Sequence, residues 1–130
     1  MQNYDQFPEL ANVYLEDSFV LDIAEGPDSL TFSLDVVLTP GHPRYTEPAP
    51  GEQHCYLTAT LTLTGASEIR WLRRSPQTYR DATGETDLGN IDRLVLDGDH
   101  FEVLGDWGQV WLFTTAAPTL EITDGSAHGS

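Results

Sequence analysis

Ser29-Leu30-Thr31-Phe32-Ser33-Leu34-Asp35-Val36-Val37-Leu38 puts Leu30, Phe32, Leu34, Val36 and Leu38 on one face and Thr31, Ser33 and Asp35 on the other. A period of two marks a half-buried β-strand, because successive side chains of a pleated backbone point to opposite sides. The stretch Cys55-Tyr56-Leu57-Thr58-Ala59-Thr60-Leu61-Thr62-Leu63 repeats the pattern. Here Cys55, Leu57, Ala59, Leu61 and Leu63 face inward, and Tyr56 and three threonines face out.

Working outward, the same period recurs in shorter runs. Asn12–Leu15 and Phe19–Ile23 read as two short strands separated by the polar Glu16-Asp17-Ser18. Gly26-Pro27-Asp28 turns the chain into the long strand that follows. Glu68–Leu72 reads as a strand carrying Trp71, and Gln109–Thr114 and Thr119–Thr123 as two more. Asp92–Leu96 and His100–Leu104 flank Asp97-Gly98, a type I′ hairpin signal. The apolar run Val110-Trp111-Leu112-Phe113 places Trp111 in the core, and Trp107, in a tight turn, is either folded back onto the core or displayed to a partner. Helix is scarce: Ser75-Pro76 carries an N-cap and first-position pair, but Gly84 leaves room for a turn or two at most. The expected fold is all-β, an antiparallel β-sandwich or open barrel of about eight strands in a meander. Residues 1–123 form one domain, and 124–130 read as a small, polar, disordered tail.

The chain has 130 residues, enough for one core: a domain of this size buries about two-thirds of the surface its unfolded chain exposes. The first residues carry neither a positive charge nor a long apolar run, so no signal peptide is expected, and no apolar stretch is long enough for a membrane helix. The single cysteine, Cys55, excludes an internal disulfide and, in phase with Leu57 and Ala59, reads as a buried structural thiol rather than a nucleophile. A cytoplasmic location is the matching expectation.

Charge is lopsided: 21 acidic side chains against six basic ones give a net charge of −15, and every basic residue is Arg. Such a field repels nucleic acid and anionic membranes; the first explanation for it is solubility, a genome that avoids Lys codons or adaptation to high salt, and the second is a basic protein partner. Nucleic-acid mimicry is a weaker reading. A domain of this length is about 35 Å across, and duplex DNA of that length carries about 20 charges. The acids of this chain are scattered from Asp5 to Asp124, so no one face holds them all.

Four arginines, Arg70, Arg73, Arg74 and Arg80, fall within eleven residues. One reading is a patch for an anion or a partner, with Trp71 and Tyr79 as aromatic anchors. The other is internal pairing with Asp81, Glu85, Asp87 or other acids. The loop at 40–52 holds four of the eight prolines and includes His42, Arg44 and Tyr45, which join the candidate binding residues together with Trp107. Asp81, Thr83, Glu85, Asp87 and Asp92 have oxygen donors, but Gly84 stands at the wrong loop position for an EF-hand, so the segment reads as a solvated turn. His42, His54 and His100 form no ligand pair at close spacing and no zinc pattern, so no metal or cofactor is expected. No nucleophile elbow or phosphate loop is found, and outward-phased acids such as Asp22, Asp35 and Glu102 read as ordinary surface groups.

Several phrases occur together: Tyr14-Leu15-Glu16-Asp17-Ser18, His42-Pro43-Arg44-Tyr45, Pro50-Gly51-Glu52, His54-Cys55-Tyr56, Asp81-Ala82-Thr83-Gly84-Glu85, Gly89-Asn90-Ile91-Asp92 and Gly105-Asp106-Trp107-Gly108. The ensemble resembles small uncharacterised bacterial proteins, some akin to the immunity proteins that neutralise polymorphic toxins, over most of residues 12–123. The resemblance implies an acidic protein that occupies a toxin's active site by charge complementarity. It carries no catalytic motif. Two functional expectations follow: a module binding a basic protein such as a toxin, and a small-molecule or anion-binding domain using the arginine segment and the proline-rich loop.

Overall fold

A computed structural model of the chain describes residues 1–47, 50, 55–75, 79–80 and 86–123, with the backbone alone at 79, 80 and 86. The strands are β1 (Gln2–Asn3), β2 (Val13–Glu25), β3 (Leu30–Leu38), β4 (Cys55–Leu63), β5 (Ile69–Arg74), β6 (Tyr79–Arg80), β7 (Thr86–Asp87), β8 (Ile91–Asp97), β9 (His100–Gly105), β10 (Gly108–Leu112) and β11 (Thr119–Ile122). They form an antiparallel five-stranded sheet in the order β1-β8-β9-β10-β5, a four-stranded sheet in the order β11-β4-β3-β2, and a small β6-β7 ribbon. The all-β class is as the alternation demands. The meander is not: β4 is followed by a strand of the other sheet, and β11 returns to pair with β4.

The alternating faces of β3 and β4 become the floor of the core. Leu30, Phe32, Leu34, Val36, Ala59, Leu61 and Leu63 are fully buried, and Leu94, Phe101, Val103, Val110 and Leu112 meet them from the five-stranded sheet. Cys55 is buried, as its phase with Ala59 requires. Two 3-10 turns, Tyr4–Gln6 and Pro8–Leu10, add Tyr4, Phe7 and Leu10 to the same core. Tyr4 opens the first turn, Leu10 closes the second, and Phe7 is the extended residue that joins them.

Two short strands were expected between Asn12 and Ile23. One long strand, β2, runs through, and Glu16-Asp17-Ser18 sits in a bulge between the paired residues Tyr14 and Phe19. Ser18 repairs the ladder there. Its buried hydroxyl donates to the Tyr14 carbonyl at 2.8 Å and accepts the Val37 N–H at 2.9 Å. Tyr4 holds the bulge from the other side, accepting the Leu15 N–H at 3.1 Å and donating to Glu16 Oε1 at 2.5 Å. Burial, reinforced by that bond to Glu16, pushes the Tyr4 phenol well above its usual range, so it remains a donor at any physiological pH.

Two further expectations are corrected. The β8–β9 turn has Gly98 and Asp99 as its central residues, with a positive φ (+69°) at Gly98 and none at Asp99. That is the type II′ pattern, with glycine first, rather than type I′. Trp111 is not a core residue. Val110 and Leu112 take the inward positions of β10, so strand parity turns Trp111 outward, where it is half-buried. No helix among the described residues is long and apolar enough to cross a membrane. The helical start at Ser75-Pro76, the acidic turn around Gly84, His54 and the tail 124–130 lie outside the described residues, Ser75 excepted.

Candidate functional site

The arginine segment lies on β5, an edge strand of the five-stranded sheet, and its described guanidinium groups are already engaged. Arg70 Nε pairs with Glu68 at 2.9 Å, and the group lies 5.1 Å over the Phe113 ring. Arg73 donates to the Gly105 carbonyl at 3.3 Å. Arg74 stacks 4.3 Å over Trp71 and reaches Glu25 at 4.0 Å, while Trp71 Nε1 donates to the same carboxylate at 3.0 Å. Among the described residues, Arg70 and Arg74 are thus paired internally, with Glu68 and Glu25 as the acids, and the loop acids Asp81 and Glu85 lie outside the described residues. The side chains of Tyr79 and Arg80 lie outside the described residues. Trp107 is removed from the candidate binding set: it is 1% exposed, packs on Phe32 and Trp71, and donates Nε1 to the Asn90 carbonyl at 3.1 Å.

His42 and Arg44 fare differently. They line an open cleft of about 400 Å³ between the Pro8–Leu10 turn, β11 and the 39–45 loop, with Leu120 and Ile122 as its apolar wall. Asn12 also lines it, in the left-handed backbone region that Asn tolerates (φ 62°), and its carbonyl accepts the Thr39 N–H. Arg44 is exposed and has no ion-pair partner among the described residues. Glu9, at the same cleft, uses Oε1 to accept the Leu120 N–H at 3.0 Å. Tyr45 is half-buried against the core and is not a lining residue.

His42 Nδ1 accepts the Arg44 backbone N–H at 3.0 Å, so this nitrogen must be unprotonated. Burial, and then the neighbouring Arg44 charge, hold the imidazole below its ordinary value. Any stability this adds is whole above that ordinary value and is lost as pH falls through the lowered one. Replacing Arg44 with Ala is expected to raise the His42 midpoint part of the way back, since burial, the larger cause, remains. Proton NMR of the imidazole C–H across pH checks this; an unmoved midpoint contradicts it.

The third place is the outer face of the five-stranded sheet, which the sequence reading left unassigned. The register sets Val95, Glu102, Trp111 and Arg70 in one row across β8, β9, β10 and β5, and Asp97 opposite His100 in the next. His100 lies 4.7 Å from Trp111 and 5.3 Å from Phe113, ring to ring. Its Nδ1 meets Asp99 Oδ1 at 3.0 Å, and its Nε2 stands 3.9 Å from Glu102 Oε2. Glu102 gives its other oxygen to Arg93 at 3.3 Å. One ligand atom from each of Asp97, His100 and Glu102 lies within 4.8 Å of the others. His100 is thus not isolated, and Glu102, on the outward face as its phase requires, stands beside it. Hairpin parity carried this signal: residues 97 and 100 face each other across a two-residue turn, and 100 and 102 share a face.

Comparison with protein-family models, with curated proteins and with solved structures gives no match.

Proposed function

We propose that the chain is a binding module for a positively charged protein, acting as an immunity-type inhibitor acts on a basic toxin. The observation that carries the reading is the imbalance left after internal pairing. A net charge of −15 remains while Arg70, Arg73, Arg74 and Arg93 are spent on contacts within the fold. Acids such as Asp5, Asp22, Asp28, Asp92, Asp106 and Glu121 stay exposed. Asp92 illustrates the crowding: partial burial and then the nearby Asp106 and Glu16 charges raise its carboxyl above the usual value. An incoming cation relieves that repulsion, which favours a basic partner and accelerates encounter.

Capture from native lysate at moderate salt should recover a stoichiometric basic protein that releases as salt rises. Asp92→Asn with Asp106→Asn should slow association on the order of tenfold. A blank across low and high salt sinks the reading. Mimicry of nucleic acid is not favoured, because the exposed acids are distributed over both sheets and their turns rather than gathered on one.

A second reading rests on the cleft. Its volume falls within the range of small-ligand sites, and Arg44 with His42 supplies the polar groups for a small anion. Thermal denaturation with and without inorganic phosphate tests it, with Arg44→Ala as the variant that should lose any stabilisation.

A further inference from the structure

We propose that Asp97, His100 and Glu102 bind a divalent transition-metal ion of the zinc class on the outer face of the five-stranded sheet. The donor set is right: one imidazole nitrogen and two carboxylate oxygens are ligands that zinc and its neighbours accept. The three donors already converge to within 4.8 Å of one another.

A second observation is independent of that convergence. His100 Nε2 is buried yet has no hydrogen-bond partner among the described residues. Leaving a buried polar atom unsatisfied is costly, and such an atom calls for a ligand. A third concerns the other ring nitrogen. Asp99 Oδ1 sits 3.0 Å from Nδ1, so it accepts a proton there and leaves the Nε2 lone pair free. A carboxylate holding the far nitrogen of a histidine is the usual support of a metal-binding imidazole, fixing both tautomer and ring direction. The Trp111 and Phe113 rings restrain His100 further.

Distances and charge agree. Two ligand atoms each about 2.1 Å from a tetrahedral zinc stand about 3.4 Å apart. The Nε2 to Glu102 Oε2 separation of 3.9 Å needs only a small side-chain adjustment to reach that. Asp97, Asp99 and Glu102, set against the Arg93 guanidinium, leave two negative charges for a divalent ion. Three protein ligands leave a fourth position open for water.

The test is calorimetric titration of the chelator-treated full chain with zinc chloride, paired with cobalt(II) absorption as a report of coordination geometry. One equivalent should bind, with tetrahedral cobalt bands. Asp97→Asn combined with Glu102→Gln preserves shape while removing two anionic ligands, and should weaken binding at least tenfold, as should His100→Gln. Asp99→Asn should weaken it about 10–100-fold through the imidazole alone. Circular dichroism confirms that each variant folds; if His100→Gln does not, the Asp97/Glu102 pair decides. Failure of zinc to bind, or equal affinity in the wild type and the Asp97/Glu102 double variant, overturns the proposal.

Discussion

Trp107→Ala is expected to be the most damaging single substitution in the chain, lowering stability by about 3–5 kcal/mol. The indole is 1% exposed and contacts Phe32 of the opposite sheet at 5.2 Å and Trp71 at 6.0 Å between ring centroids. Truncation to Ala opens a cavity where the two sheets meet and strips the Asn90 carbonyl of its donor. Against a total stability of about 5–15 kcal/mol, that loss leaves little margin, and the melting temperature should fall by roughly 10–20 °C. Trp107→Phe separates the two contributions: it retains much of the volume, loses the Nε1 bond, and should cost about 1–3 kcal/mol. Urea denaturation followed by far-ultraviolet circular dichroism gives both values without relying on tryptophan emission. A loss under about 1 kcal/mol for Trp107→Ala would show that the turn, rather than the indole, joins the sheets.

Ser18→Ala comes next, with an expected cost of about 1–3 kcal/mol. One hydroxyl serves two strands: it accepts from Val37 on β3 and donates to Tyr14 on its own strand. Its removal strands the Val37 N–H in a fully buried position, because the bulge has displaced the carbonyl that a regular ladder would offer. Amide hydrogen exchange supplies the local readout: Val37 should exchange markedly faster in the variant, while the β3–β4 amides of residues such as Leu34 should not. Equal exchange at Val37 in both proteins would contradict this assignment of the bond.

Both positions show how far the sequence could be read. The β3 and β4 strands were legible because every second residue along each, from Leu30 to Leu38 and from Cys55 to Leu63, is apolar. The continuity of β2 was hidden, since Glu16-Asp17-Ser18 breaks the period and only tertiary contacts from Tyr4 and Val37 let the strand absorb them as a bulge. Trp111 was misplaced because four consecutive apolar residues have no period, and only the burial of Val110 and Leu112 fixes the parity. The arginine segment was visible as a cluster, but its acids, Glu25 and Glu68, come from a distant strand and from just before β5. His42 and Arg44 were found by composition, whereas their cleft depends on β11 and the Pro8–Leu10 turn closing in from opposite ends of the chain. Asp97, His100 and Glu102 required only that the hairpin register be followed through to the side chains.

The lateral margins of the two sheets bear on solubility. An open strand margin offers unpaired N–H and C=O groups to any other chain and invites stacking into fibrils. Each margin here is guarded differently. β1 is only two residues long, too short to template a neighbour. β2 is kinked by its bulge, and its Val20 groups are already bonded to Leu88 and Gly89. β11 has four residues, and the Leu120 N–H is capped by Glu9. β5 carries Arg70, Arg73 and Arg74, and its pairing with β10 is interrupted between Gln109 and Val110. The arginines that first suggested a docking patch are thus placed as gatekeepers, guarding the longest margin of the five-stranded sheet against intermolecular strand pairing.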